Sequence, residues 1–393
     1  MKAWKKTSLL TTAILIVLLF AFIYLFKVNL SFTSSDIEFT PNTITNEIPS
    51  YQGEHPKNII IFIVDGMGFG HLSLAIQTQR PENSPTIWED FDVRGWHDPR
   101  SIYGSITDSE ASATAMATGV STNFGHIGID KEGKVLTNLF EEASALNYST
   151  GIVTDSYIWD GTPAAFVAHT RNEDDARDIL TQIASSELDL IFGELEDVGE
   201  DDVPEVDESI AILKKRFFHL GKDLKLPDGN KYNQPVAVIF EEDEIQDLNS
   251  TPNLPKLTEV ALKYMGAQNK PFALLVECEE LDSASHENDS ERVINGLKSI
   301  QETLALVLDF AKTNGETLVV FTSDHETGGL AAASDFGNYP NLQIRWSTKS
   351  HTAAVVPLFA VGPGAQNFVN VQRNYEIGQL LKSLLVQEKI DTD

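Results

Sequence analysis

The residues with the most chemical potential in this 393-residue sequence are carboxylates and histidines placed at the ends of apolar runs. Asp65 follows NIIIFIV (58–64) directly, in V-D-G-M-G. Glu277 ends FALLVE (272–277), and Asp324 and His325 follow TLVVFTS (317–323) in T-S-D-H-E-T-G-G. Asp160 lies just after STGIVT (149–154), in D-G-T-P. A single acid at such a place reads equally well as a helix cap. Several on one edge of one sheet would repel one another strongly unless cations neutralised them. Asp282 and His286, in E-L-D-S-A-S-H, stand at i, i+4 spacing and can share one helical face. His351, in K-S-H-T-A-A, precedes the last apolar run. An Asp–His–His donor set suits a catalytic rather than a structural zinc. Taken singly, each histidine reads as an ordinary core or surface residue, but beside Asp324 and His325 the ligand reading prevails. The remaining histidines singled out, His71, His97, His126, His169 and His219, read as structural.

The string T-D-S-E-A-S-A-T-A-M-A-T-G (107–119) adds a nucleophile candidate. Its alanine-rich tail predicts a helix beginning at Asp108 and Ser109, so both residues can be simple caps. Alternatively, Ser109 sits at the positive end of that helix, where an anion binds and an alkoxide is stabilised. A neighbouring metal would lower the serine pKa and remove the need for a histidine base.

Apolar runs must position these groups. NIIIFIV, STGIVT, VAVIF (236–240), FALLVE, TLVVFTS and VVPLFAVG (355–362) read as buried strands without strict alternation. Between several of them lie amphipathic stretches such as 138–146 and 291–312. That pattern predicts an α/β fold, a three-layer α/β/α sandwich with a mostly parallel central sheet. Ligands then bind beyond the carboxyl ends of the strands, where the acids gather. The catalytic domain is expected over 58–393, and the acid-rich stretch at about 193–250 reads as a surface insertion without a catalytic role.

Composition narrows the function. The net charge of -29 disfavours a polynucleotide partner. Cys278 is the only cysteine, which excludes an intrachain disulfide and a cysteine-based zinc site. Lys2, Lys5 and Lys6 precede an apolar run from Leu9 to Phe26, long enough to span roughly 27 Å as a helix. Residues 1–28 therefore read as a membrane anchor with everything after them outside, although a cleaved, secreted form remains open. Residues 29–57, rich in Ser, Thr, Asn and Pro, read as a tether.

The strings V-D-G-M-G, D-S-E-A-S-A-T-A, D-G-T-P-A-A, V-E-x4-D-x3-H, S-D-H-E-T-G-G and S-H-T occur in the order seen in alkaline phosphatases, and the sequence resembles that family from Asn58 to Gly364, the acidic stretch excepted. The resemblance implies two Zn²⁺ and one Mg²⁺. Asp282, His286 and His351 would hold the first zinc. Asp324 and His325 would hold the second, with Asp65 bridging to magnesium. Glu277 and Thr162 would complete the magnesium ligands, and Asp160 would orient its waters. Ser109 would attack the phosphorus of small phosphomonoesters and become phosphoserine, and the chain would form a homodimer. Two positions depart from the family pattern. Arg171, following His169 more closely than usual, is either the bidentate phosphate clamp or an ordinary surface arginine. Ser283 stands where relatives carry Lys, His or Trp, which leaves pH optimum and magnesium dependence open. The alternatives are a phosphodiesterase of the same superfamily and a non-catalytic phosphate- or metal-binding surface protein.

Overall fold

The computed structural model describes residues 55–79, 86–195, 204–226, 234–242, 244–245, 252–268, 270–334 and 342–385. The apolar N-terminal run and most of the expected tether lie outside the described residues. Among the described residues, no helix is long and apolar enough to cross a membrane.

All seven residues of strand β1 (Asn58–Val64) are buried. A strand covered on both faces needs such an unbroken apolar run. Its alternation separates two cores: Ile59, Ile61 and Ile63 enter one, and Ile60, Phe62 and Val64 the other. The remaining strands are β2 (Val93–His97), β3 (Ser149–Tyr157), β4 (Leu190–Leu195), β5 (Phe218–His219), β6 (Val236–Glu241), β7 (Phe272–Cys278), β8 (Thr317–Thr322), β9 (Glu326–Thr327), β10 (Ala331–Ala333), β11 (Gln343–Arg345), β12 (His351–Thr352) and β13 (Val356–Val361). Nine of them form one sheet in the order β2-β13-β8-β1-β7-β3-β4-β6-β5. From β8 to β5 every neighbour pairs in parallel, whereas β13 and β2 close the other edge antiparallel. The six apolar runs read from the sequence are β1, β3, β6, β7, β8 and β13. Within the acidic stretch, β5 and β6 extend this sheet beyond β4, because the V-A-V-I-F run offers apolar side chains to both layers.

Register fixes the level of the site. Ile63 pairs with Glu277 of β7 on one side and with Thr322 of β8 on the other. Asp65, Glu277 and Asp324 therefore emerge together at the carboxyl end of three adjacent strands.

The two helical layers then meet at that edge. The helix Ser109–Thr118 packs in the Ile59 core through Ala113, Met116 and Ala117. The helices Glu280–Glu287 and Ser290–Asn314 pack in the opposite core through Leu281, Ala284 and Leu297. The serine and the Asp282–His286 pair thus arrive from opposite faces of the sheet.

The Ser109 helix is held against the C-terminal helix Asn374–Leu384 at Gly378. A Cβ there would stand 2.6 Å from Ala115 O, Met116 O and Gly119 N, backbone atoms that cannot turn aside. Gly378→Ala is expected to cost about 1–3 kcal/mol through overpacking. Urea unfolding would measure it, and an unchanged midpoint would mean that the two helices separate without cost.

Candidate active site

The most informative geometry lies around Asp282, His286 and His351. His286 belongs to the short helix Glu280–Glu287, one turn after Asp282, and His351 opens β12. The Nδ1 of His286 lies 2.7 Å from Lys349 O, and that of His351 lies 2.8 Å from Thr107 O. A carbonyl only accepts, so both Nδ1 atoms carry a proton, and the lowered His351 keeps a lone pair on Nε2. The two Nε2 atoms stand 3.1 Å apart, with Asp282 Oδ2 3.2 Å from His286 Nε2. The hydrogen bond to Asp282 raises His286, so these three groups hold together around a shared proton or, in its place, a cation. Donors bound to one tetrahedral zinc at about 2.0–2.1 Å stand roughly 3.4 Å apart, close to this spacing. Gly66, at φ 73°, turns the chain sharply after Asp65, and a Cβ there would come within 2.5 Å of Asp282 Oδ1. The glycine is what lets the Asp282 helix approach the end of β1.

A second cluster surrounds the buried ring of His325. Its Nε2 lies 3.1 Å from Ser109 Oγ, 3.3 Å from Asp65 Oδ1 and 3.4 Å from Asp324 Oδ2. Asp65 Oδ1 and Asp324 Oδ2 are buried and make no hydrogen bond, which is the condition of ligand atoms rather than structural ones. The donor atoms of Asp65, Asp324 and His325 all fall within 4.8 Å of one another, as do those of Asp282, His286 and His351. The His325 and His351 rings stack with centroids 3.6 Å apart, so the two clusters adjoin.

Thr327 joins them, a residue that sequence reasoning passed over. Its hydroxyl donates to Asp282 Oδ1 and accepts from His325 Nδ1 at 3.2 Å. One hydroxyl therefore orients a carboxylate of one cluster and fixes the tautomer of the histidine in the other. Only its position in S-D-H-E-T-G-G hinted at this. Thr327→Val, equal in shape, is expected to weaken metal affinity about 10–100-fold, as loss of such supporting contacts typically does. Metal titration of the stripped protein would show it, and undiminished affinity would remove Thr327 from the site.

Burial sets the protonation states. It pushes His325 down to about 4 and lowers His351, so both rings are neutral and ready to ligate near pH 7. Burial and then the neighbouring carboxylates push Asp65 well above the usual carboxylate range. Asp324 rises to about 6 through burial and then Asp282. Without a cation, Asp65 keeps its proton to higher pH than Asp324 does.

A third group faces the same edge. Thr162 and Glu277 are fully buried, with Thr162 Oγ1 and Glu277 Oε1 lacking any hydrogen-bond partner, while Glu277 Oε2 accepts from Thr154 at 2.6 Å. Asp160 accepts from Ser156 Oγ at 2.6 Å and from Gly161 N at 2.7 Å. Orphaned oxygens of this kind fit a hard cation such as Mg²⁺.

Ser109 begins its helix as expected, with Asp108 as the cap accepting from Ala111 N at 2.9 Å. Its surroundings hold a surprise. Glu110 and Glu173 converge with Asp108, their oxygens within 4.8 Å. Burial and then the charges of Asp108 and Glu173 push Glu110 up to about 9. Arg171 is exposed and engaged elsewhere: its guanidinium donates to Glu132 O and lies over Gly133. Of the candidates, Ser109, Asp65, Asp324 and His325 meet in one cluster and Asp282, His286 and His351 in the next, while Arg171 stands apart from both. His71 and His97 are wholly buried, and His169 bridges Gly128 O and Glu141.

The family model for alkaline phosphatase matches residues 56–202 and 222–344 of this chain. The chain belongs to the alkaline phosphatase family. It is 26% identical to alkaline phosphatase 4 of Bacillus subtilis (strain 168), over 84% of this chain and 88% of that protein. It is 25% identical to the alkaline phosphatase of Escherichia coli (strain K12), over 84% of this chain and 86% of that one. Among solved structures, the alkaline phosphatase from the Antarctic bacterium TAB5 superposes with a TM-score of 0.76 at 26% identity, covering 85% of this chain and 99% of that one. A variant of that alkaline phosphatase is described with Mg bound in its M3 site. The mostly parallel α/β sheet is the alkaline phosphatase fold, and membership of the family makes this chain a phosphatase.

Proposed function

We propose that this phosphatase hydrolyses phosphate monoesters through a phosphoserine at Ser109, with two Zn²⁺ and one Mg²⁺ as cofactors. The observation that carries the reading is the convergence of Asp282 Oδ2 and the Nε2 atoms of His286 and His351, the two nitrogens 3.1 Å apart, with both Nδ1 protons committed to carbonyls. Asp282, His286 and His351 would hold one zinc, and Asp324, His325 and Asp65 the other. Asp65, Glu277 and Thr162 would hold the magnesium, with Asp160 orienting its water. The ions supply Lewis acidity toward the phosphoryl oxygens and lower the proton affinity of the attacking groups.

Ser109 supplies the nucleophilic oxygen at the positive end of its helix, where charge developing on the phosphoryl group is stabilised. Its P–O bond forms as the ester P–O bond breaks, and water later cleaves the phosphoserine to release inorganic phosphate. Arg171 clamps the phosphate in this reading by exchanging Glu132 O for phosphate oxygens. Arg171→Ala is then expected to lower kcat/KM by about 10–100-fold, mainly through KM, as loss of a charge-assisted pair would. Steady-state kinetics unchanged by the substitution would return Arg171 to the surface.

The test of the activity is a chromogenic phosphate monoester beside the matching diester, with and without added Zn²⁺ and Mg²⁺. Metal-dependent turnover of the monoester with a slow diester supports this reading. Preference for the diester would move the protein to the phosphodiesterase branch, and inertness toward both would leave a binding protein. The apolar run at 9–26 would hold the enzyme on the outer face of a membrane, with a homodimer as the expected assembly; protease accessibility in intact cells checks the first and sedimentation the second.

A further inference from the structure

Two hydroxyls one turn apart on the Ser109 helix reach two consecutive residues of the segment that follows β8. Ser109 Oγ lies 3.1 Å from His325 Nε2, and Ser112 Oγ donates to Asp324 O at 2.8 Å. Their i, i+3 spacing sets both on one helical face. Among the described residues these are the two hydrogen bonds that join this helix to residues 323–327. They differ in kind. His325 Nε2 is a ligand atom in the metal reading, and Ser109 Oγ leaves it on bonding to phosphorus. Asp324 offers Ser112 its backbone carbonyl, which is free of any duty at a metal. The Ser112 contact therefore persists through the reaction, whereas the Ser109 contact does not.

Ser112 is wholly buried and is itself held in place. Its proton goes to Asp324 O, so its oxygen is left to accept, and Asn374 Nδ2 donates to it at 3.2 Å. The same Asn374 nitrogen donates to Pro99 O at 2.8 Å, which fixes the amide against the chain that leads into Ser109. Asn374 opens the C-terminal helix, beyond residue 344 where the family match ends. That helix also grips the far end of the Ser109 helix, through Gln379 Nε2 to Gly119 O at 3.0 Å and Lys382 Nζ to Thr118 O at 3.3 Å. We infer that Asn374 and Ser112 are positioning residues that act as one relay. Asn374 fixes Ser112, and Ser112 fixes the first turn of the helix against Asp324, which sets where Ser109 Oγ stands for attack. The inference rests on the phosphoserine reading above. Asp108 does not duplicate the tie, because its carboxylate binds Ala111 N and Gly125 N, neither of them on the metal-bearing segment. A displacement of about 1 Å between reacting atoms can cost on the order of 10²-fold in rate.

The test is rapid quench of the holoenzyme with a chromogenic monoester, which gives the rate of Ser109 phosphorylation, beside elemental analysis of metal content. Ser112→Ala is expected to slow phosphorylation by about 10–100-fold while zinc content stays at the wild-type level. Asn374→Leu, close in size but without donors, is expected to slow the same step by a smaller factor. The double variant is expected to be no slower than Ser112→Ala, because Asn374 acts through Ser112. An unchanged phosphorylation rate in Ser112→Ala would overturn the proposal. So would effects that multiply in the double variant, the mark of two separate structural contacts. A parallel loss of zinc in Ser112→Ala would overturn it too, by showing that the hydroxyl serves the metal-bearing segment rather than the nucleophile. Wild type that turns over the monoester without any phosphoserine would defeat the Ser109 reading itself, and the relay with it.

Discussion

Ser109→Ala is expected to lower kcat on a phosphate monoester by about 10⁴-fold or more while leaving metal content unchanged. Among the described residues the Ser109 hydroxyl is the one that contacts His325 Nε2, with Oγ 3.1 Å away. The carboxylate and histidine donors of both clusters are untouched by the substitution, so the ions are expected to remain. The fold remains too, because Asp108 Oδ1 still accepts from Ala111 N and caps the helix. Parallel kinetics and elemental analysis on both proteins check this. A variant retaining a tenth of the activity would mean that water attacks phosphorus directly.

The second large effect follows from stripping the metals. Activity should vanish, and unfolding should become easier by about 4 kcal/mol for each site formerly held at a thousandfold excess over its Kd. The pH dependence carries a signature. In the metal-free protein Asp65, Glu277 and Glu279 are raised well above the carboxylate range by burial, and Glu110 is raised to about 9. A carboxyl group raised on folding keeps its proton longer in the folded chain, so its contribution is full below the unfolded pKa and is lost as pH rises through the folded one. His71, His97 and His325, all pushed down to about 4 by burial, act in the opposite sense, but only below the ordinary histidine value of 6.5. Above about pH 6.5 the raised carboxylates and the raised His169 and His286 all act in one direction, and the metal-free protein should lose stability steadily toward pH 9. The metal-loaded protein should lose less, because the cations replace the protons of Asp65 and Glu277 while Glu110 still titrates. Thermal melts of both forms across that window decide the matter, and a flat profile for the stripped protein would contradict it.

Much of this architecture was legible in the sequence because both-face burial writes strands as unbroken apolar runs. Asn58–Val64 is the clearest case, its seven buried residues dividing between the two cores. The placement of Asp65, Glu277 and Asp324 on one edge followed from the parallel sheet alone. The i, i+4 pair Asp282 and His286 met across a helical turn as its spacing required. What stayed hidden depended on orientation rather than order. Nothing in a string of letters shows that Thr327 faces two ligands at once, or that the Arg171 side chain turns toward Glu132. Glu110 and Glu173 lie far apart in sequence and meet only because the Gly161 backbone packs against Glu110 and the Gly125 backbone approaches Glu173. The edge strand β2 escaped notice because V-R-G-W-H is buried only at its ends. The V-A-V-I-F run read as a strand, but the dense charge around it made the stretch read as a surface insertion and hid that β5 and β6 extend the central sheet.

The most direct test of the account is to trap its covalent intermediate. Holoenzyme mixed with a monoester and quenched in acid within the first turnovers would be digested and its peptides mapped by mass spectrometry. The account predicts one phosphoryl group on Ser109, absent when the enzyme has been treated with chelator beforehand. Rapid turnover with no phosphoserine at Ser109, or a phosphoserine that forms equally well after metal removal, would contradict it.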